Sequence, residues 1–398
     1  MDPVLLSAYT MTSCLGRGLV PTRAAFRANV SGLAPCRFDA ADLDTWVGEI
    51  AGLDDVTIPG ALSRFDCRNN RASELGLGQD GFSAAVAEAA SRYGPARAGV
   101  FIGTSTAGIL QTELAYRRRD PASGALPPDF DYRRTHNTYS AAEYVRERLA
   151  LAGPCVAIST ACSSSAKAFA SAARMLGAGL IDMAVVGGVD TLCLTTLYGF
   201  GSLQLLSSSP CRPYDIERDG ISIGEAAAFF LLERSPGDES IALLGIGESS
   251  DAHHMSAPHP EGAGARRAMA AALASARLAP QAIDYVNLHG TGTPNNDAAE
   301  DIAVYGLFGD AVPVNSTKGM TGHALGAAGA VEAILSVIAI DEGRFPGSPG
   351  TRTVDPALHV RYEVEGCARD IACVLSNSFG FGGSNCSAIF GRVRAIDR

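Results

Sequence analysis

Lysine is nearly missing from this 398-residue chain: among 32 basic residues only Lys167 and Lys318 are lysines, so arginine supplies almost all the positive charge. An excess of basic charge is missing too. Thirty-two Lys plus Arg against 42 Asp plus Glu gives a net −10, which excludes a surface built as a polyanion footprint and, with it, nucleic-acid binding. The ten cysteines contain no Cys-x-x-Cys pair, which argues against a disulfide scaffold and a zinc site and leaves most of them as small core hydrophobes. No apolar run approaches the ~20 residues that span a bilayer; residues 333–340 are interrupted by Ser336. The start, Met1-Asp2-Pro3-Val4-Leu5-Leu6, lacks the basic head and long apolar core of a secretory signal, so a cytoplasmic location and reduced thiols are expected.

What is present is a globular composition, 47% hydrophobic and 19% charged with 44 glycines, and a pattern that occurs twice. Val156-Ala157-Ile158-Ser159-Thr160 leads into a small-residue helix over 163–176. Val312-Pro313-Val314-Asn315-Ser316-Thr317 leads into another over 324–340. Ala, Gly and Ser on nearly every face let neighbouring backbones approach and mark both helices as central. Short apolar runs at 99–102, 183–189, 227–232, 285–288 and 371–375 read as buried strands. Helical stretches at 80–92 and 266–276 alternate with them, which predicts an α/β fold from an internal duplication. The polar segment 234–240 divides it into halves 1–238 and 239–398, and the Arg-, Pro- and Asp-rich stretch 117–134 reads as an excursion or cap.

Cys162, in Ser159-Thr160-Ala161-Cys162-Ser163-Ser164, lies at a strand-to-helix turn. Free N–H groups at a helix mouth lower a thiol below its usual pKa of about 8.5, so a nucleophile without a dedicated base is expected. Two histidines at the ends of buried strands accompany it: His289 in His289-Gly290-Thr291-Gly292-Thr293, and His323 in Lys318-Gly319-Met320-Thr321-Gly322-His323. Lys318 reads as functional, while Lys167 stays open. His253, His254 and His259 have no carboxylate or thiolate pattern to complete a metal site, and no metal is expected.

These stretches, together with Arg212-Pro213-Tyr214-Asp215, Ser250-Asp251-Ala252-His253-His254-Met255, residues 318–329 and Asn377-Ser378-Phe379-Gly380-Phe381-Gly382-Gly383-Ser384-Asn385, make the chain resemble a β-ketoacyl-[acyl carrier protein] synthase of the elongating I/II type, in the thiolase-like superfamily. The resemblance spans nearly the whole chain. It implies a thiolase-like fold, two βαβαβαββ halves in an αβαβα five-layer arrangement, and a dimer, either of like chains or with a ketosynthase-like subunit. It also implies that Cys162 accepts an acyl group, that the N–H groups of Cys162 and Phe381 form an oxyanion hole, and that His289 and His323 hydrogen-bond the enolate formed when malonyl loses CO₂. Lys318 linked to Glu332 would support them, with His323 and Glu332 on one helical segment. Phe379 and Phe381 suggest a gate, although Phe379 also reads as a plain core aromatic. Thr291 and Thr293 contact substrate, and Phe200 and Thr106 line the acyl pocket. Substrates would be malonyl and acyl thioesters on the phosphopantetheine of an acyl carrier protein, with no cofactor held by this chain.

Carriers are acidic, so local positive charge is needed. Arg64, Arg68 and Arg71, at i, i+4 and i+7, suggest one docking stripe, an ordinary solvated face being the alternative. Ala226 replaces a glycine common in relatives, and Gln204 stands where some have a basic docking residue. Initiating synthases carry asparagine in place of the second histidine and thiolases a second cysteine, so His323 argues against both. A chain-length-factor-like subunit would lack Cys162, and a cysteine hydrolase would need a base-and-orienter pair. Fatty-acid elongation and a polyketide or polyene pathway both remain open.

Overall fold

The computed structural model describes residues 1–39, 41–234 and 240–393. In the first half, β1 (Val4–Ser13) is followed by α1 (Arg68–Leu77), α2 (Phe82–Tyr93), β2 (Ala98–Gly103), α3 (Tyr139–Arg148), β3 (Cys155–Ile158), α4 (Ser164–Gly177), β4 (Met183–Asp190), α5 (Leu194–Ser202) and β5 (Ala226–Glu233). The second half runs β6 (Ile241–Ser250), α6 (Ala263–Ala276), β7 (Tyr285–Asn287), α7 (Pro294–Phe308), β8 (Val314–Asn315), α8 (Ala328–Glu342), β9 (Cys373–Gly380) and β10 (Ser384–Arg392). In space the first half orders its strands β3-β2-β4-β5-β1 and the second β8-β7-β9-β10-β6. Both are third, second, fourth, fifth, first. That identity of topology is the duplication expected from the two strand-turn-helix repeats. The halves join where Val4 and Leu5 of β1 pair antiparallel with Leu243 and Ala242 of β6. The expected boundary at 234–240 lies largely in 235–239, outside the described residues.

Burial explains the strand sequences. β4, β5 and β9 are buried along their whole length, as continuous apolar runs require when both faces of a sheet are covered. One core joins Phe101, Val186 and Phe230 of the first sheet to Val374 and Phe390 of the second, across Phe169 of α4 and Ile334 and Ile338 of α8. A second core packs Val86 of α2 and Val145 of α3 on the outside of the first sheet. A third packs Met269 of α6 and Val304 of α7 outside the second. The layers are therefore helix, sheet, the α4–α8 pair, sheet, helix. α8 is buried without interruption from Ala328 to Ile340 and ends at Gly343, whose φ of 55° is the left-handed cap that glycine favours.

Two expectations need correction. Arg64 lies in the 3-10 turn Gly60–Phe65, outside α1, so the three arginines share no helical stripe. Arg68 is 4% exposed and its guanidinium is committed to Glu225, Glu49 and Asp54. A cation this buried is held by its carboxylates and has no face for a partner. Arg71 is paired with Asp66 and Arg64 with Glu147. Secondly, His323 precedes α8, separated from it by the 3-10 turn Leu325–Ala327, so it does not share a helix with Glu332.

Candidate active site

The nucleophile candidate is presented by backbone strain. Ala161 adopts φ +52°, a left-handed conformation uncommon for a residue with a Cβ, and this turns the chain from β3 into α4 with Cys162 at the bend. The turn is held by Ser164 Oγ, which accepts from Thr160 N at 2.9 Å and donates to Ala161 O at 2.5 Å.

His323 is placed by sheet-like pairing with the other half: its N–H donates to Ser222 O at 2.7 Å, and its carbonyl accepts from Gly224 N at 3.0 Å. The following turn is fixed by Asp190 at the end of β4, whose carboxylate accepts from Gly326 N at 2.6 Å and from Ser105 N and Thr106 N at 2.8 Å. His289 is placed by α7. Glu300 accepts from His289 N at 2.8 Å and Gly290 N at 2.7 Å, and Asp297 accepts from Thr291 N at 3.0 Å. Asp190, Asp297 and Glu300 escaped the sequence reading. A signal for the last two exists: acidic residues three apart on the face of α7 that also carries Ala303 and Val304, all buried.

The result is one constellation. Cys162 Sγ lies 3.0 Å from His323 Nε2, the His289 and His323 rings are 5.2 Å apart at 82°, and one ligand atom from each of the three residues falls within 4.8 Å of the others. Lys318 Nζ, on the short helix Lys318–Thr321, is 3.3 Å from His289 Nδ1 and also contacts His289 O and Glu332 Oε1. That ammonium opposes a cation at the Cys-His-His cluster, which among the described residues is the one group with metal-ligand spacing.

Electrostatics overturn one expectation. Burial pushes the Cys162 thiol up to about 11, against the opposing pull of the Lys318 charge and of the backbone N–H groups of Phe381 and Cys162. The helix mouth therefore does not by itself offset burial of the thiol, and His323 Nε2 stands at hydrogen-bond distance from the sulfur. Burial, with Lys318 nearby, holds both imidazoles well below the usual histidine range, so both rings are neutral at neutral pH. Burial also raises Glu332 to about 7 against its Lys318 partner.

The three residues face a cavity of about 270 Å³ shared with Phe200, Thr291, Thr293, Phe379 and Phe381. Phe200 and Phe381 meet at 5.6 Å between ring centroids, and Phe379 lies 6.0 Å from the His289 ring. Gly382 and Gly383 behind Phe381 have φ of 79° and 72°, conformations that leave this aromatic loop dependent on glycine. Lys318 and Glu332 stand behind His289, outside the cavity wall. Thr106 is not on that wall either. It is 1% exposed and its hydroxyl donates to Asp190 at 2.7 Å, so in this structure it clamps the turn before the cavity. Gln204 does line the cavity. Lys167 pairs with Glu248 at 3.7 Å across the two halves.

Residues 72–236 match the family model described as beta-ketoacyl synthase, N-terminal domain, and residues 241–352 match the beta-ketoacyl synthase, C-terminal domain. A 3-oxoacyl-[acyl-carrier-protein] synthase 2 of Rhizobium meliloti (strain 1021) is 39% identical over 318 residues, 74% of each chain. One from Staphylococcus aureus (strain COL) is 33% identical over 75% of this chain and 76% of its own. Among solved structures, the ketosynthase (ApeO) in complex with its chain length factor (ApeC) from Xenorhabdus doucetiae aligns with TM-score 0.89 and 37% identity over 98% of both chains. A beta-ketoacyl synthase from Burkholderia phymatum STM815 aligns with TM-score 0.84 and 29% identity over 99% of this chain and 100% of that one.

Proposed function

Because the chain belongs to the β-ketoacyl synthase family, we propose that it is an elongating ketosynthase that joins an acyl group held on Cys162 to malonyl carried by an acyl carrier protein, releasing CO₂. The observation that carries this reading is the buried sulfur 3.0 Å from His323 Nε2, with a second neutral imidazole beside it.

In the first half-reaction Cys162 Sγ bonds to the acyl carbonyl carbon and the carrier sulfur leaves. The thiol proton passes to His323 Nε2 and from there to the departing carrier thiolate. The N–H groups of Cys162 and Phe381, whose dipoles favour negative charge at the sulfur, meet the oxyanion of the tetrahedral intermediate. In the second, the malonyl carbon–carboxylate bond breaks and its electron pair enters the thioester as an enolate. Lys318 donates to Nδ1 of His289, which fixes the ring with its proton on Nε2, the tautomer needed to donate to the enolate oxygen. With the sulfur acylated, His323 faces the same oxygen and donates to it once its ring proton has moved from Nδ1 to the Nε2 that gave its proton to the carrier. The enolate carbon then attacks the acyl carbonyl, Cys162 leaves as the thiolate, and the product is a β-ketoacyl thioester two carbons longer.

Phosphopantetheine arrives on the carrier, and this reaction uses no cofactor resident in the chain. No described helix is long and apolar enough to cross a membrane; a cytoplasmic enzyme fits the reaction. Among the described residues, strand β3 is bonded on one side only, to β2, and exposes Val156 at 36%. An open edge of this kind can be continued by a second chain of like architecture, and the Xenorhabdus ketosynthase with its chain length factor supports such a pair here. Cys162, hydrogen-bonded to His323, argues that this chain is the catalytic member.

The test is mass spectrometry of the purified protein with malonyl-carrier and a panel of acyl-carriers. Acyl-Cys162 and a carrier product two carbons longer are expected; elongation by Cys162→Ala would overturn the assignment.

A further inference from the structure

Helix α5 (Leu194–Ser202) carries the cavity residue Phe200 near its C-terminal end, and its own sequence stabilises it poorly. It has nine residues, two of them glycines on either side of Phe200, no acidic residue in its first turn and no side-chain cap from Cys193. Each interior glycine costs about 1 kcal/mol relative to alanine, and an uncapped helix start leaves N–H donors without partners. The missing cap comes from another element. Glu113, on the helix Ile109–Arg117, accepts from Leu194 N at 3.0 Å, from Thr195 N at 2.7 Å and from Thr195 Oγ1 at 2.6 Å. Leu110 of the same helix packs with Leu194, Leu197 and Phe200 in a small cluster built on Ile221 and Leu325. Ile221 and Phe200 also line the cavity.

A carboxylate at a helix N-terminus satisfies donors and favours the helix dipole at once. Here the helix so fixed positions the ring that packs against Phe381 on the cavity lining. We infer that Glu113 is a positioning residue for acyl-chain length: by capping α5 from outside, it holds Phe200 as the end wall of the acyl pocket. This rests on the ketosynthase reading. It assigns a role in selecting the substrate to a residue that lies outside the cavity and touches no reacting atom.

The experiment measures acylation of Cys162 and product length with a graded panel of saturated acyl-carriers, for the parent, Glu113→Ala, Glu113→Gln and Phe200→Ala. Glu113→Ala should raise the ratio of long- to short-acyl loading by about threefold to tenfold, the scale of losing a helix cap, with malonyl decarboxylation changed little. Glu113→Gln, which keeps one acceptor, should lie between. In a Phe200→Ala background the Glu113 substitution should shift the ratio no further, because the wall it positions is gone. An unchanged length profile in both Glu113 variants, with only a lower melting temperature, would overturn the inference. So would a shift equally large without Phe200. A parent that does not elongate any acyl-carrier refutes the ketosynthase reading itself, a separate outcome.

Discussion

The two halves of the molecule share one strand order yet use their equivalent turns differently. In the first half, α4 starts two residues after Cys162, so the turn does nothing but present a sulfur at a helix mouth. In the second, the interval between β8 and α8 holds a short helix and a 3-10 turn, and that extra length supplies both Lys318 and His323. Their helices differ likewise: α4 leaves Lys167, Ser171 and Arg174 partly accessible, whereas α8 is buried through thirteen consecutive residues. A duplicated scaffold has thus divided the contributions to one site, with the buried Cys162 sulfur from one copy and both imidazoles and the Lys318 ammonium from the other.

The largest effect tests the first copy. Cys162→Ala should remove acyl loading entirely, read as the loss of the acyl mass adduct, because none of the other nine cysteines stands beside paired imidazoles. Next come the histidines of the second copy. Either alanine variant should lower malonyl decarboxylation by about 10²- to 10⁴-fold, but only His323→Ala should also change the sulfur. With the thiol at about 11 and no base at 3.0 Å, its alkylation rate should climb about tenfold per pH unit between pH 7 and 10, while His289→Ala keeps the parental pH profile. Equal profiles in the two variants would remove the distinction between proton acceptor and enolate donor.

Lys318→Met strands Glu332 in the core. Losing one partner of a buried ion pair costs about 3–5 kcal/mol, and a lower denaturation midpoint should accompany lost decarboxylation. Lys318→Met with Glu332→Leu should recover much of the stability and none of the activity, separating the packing role from the tautomer role. The smallest effect concerns Glu300, which burial raises from 4.5 to about 7 despite hydrogen bonds from His289 N, Gly290 N and Asn377. The folded state holds this proton more tightly than the unfolded chain, so the contribution is full below about pH 4.5 and is lost as pH rises through 7. Glu300→Gln should flatten the fall of melting temperature between pH 5 and 8 by about 2–4 °C.

The strand-turn-helix repeats and the Cys-His-His set could be read from local patterns of small residues and glycines, because such patterns report close backbone approach directly, whereas the Lys318–Glu332 link came only through the family resemblance. Arg68 could not. Its binding partner Glu225 is 157 positions away, and the break between the 3-10 turn and α1 at Asp66 and Cys67 dissolves the apparent phase of Arg64 with Arg68. The bond of Thr106 to Asp190 was hidden for a similar reason, since Asp190 comes from β4, which pairs with the preceding strand only in three dimensions. The thiol expectation weighed the helix mouth and left out desolvation, the larger influence once Cys162 is seen to be 6% exposed.

His323 belongs to the second copy by sequence, but its main chain is stitched to Ser222 and Gly224 of the first, and the turn after it is tied to Asp190. Sulfur and acceptor consequently ride on a single frame. A small slip of one sheet past its twin would carry His289 along and leave the Cys162–His323 separation unaltered, so thermal breathing should disturb enolate stabilisation before it disturbs acyl capture.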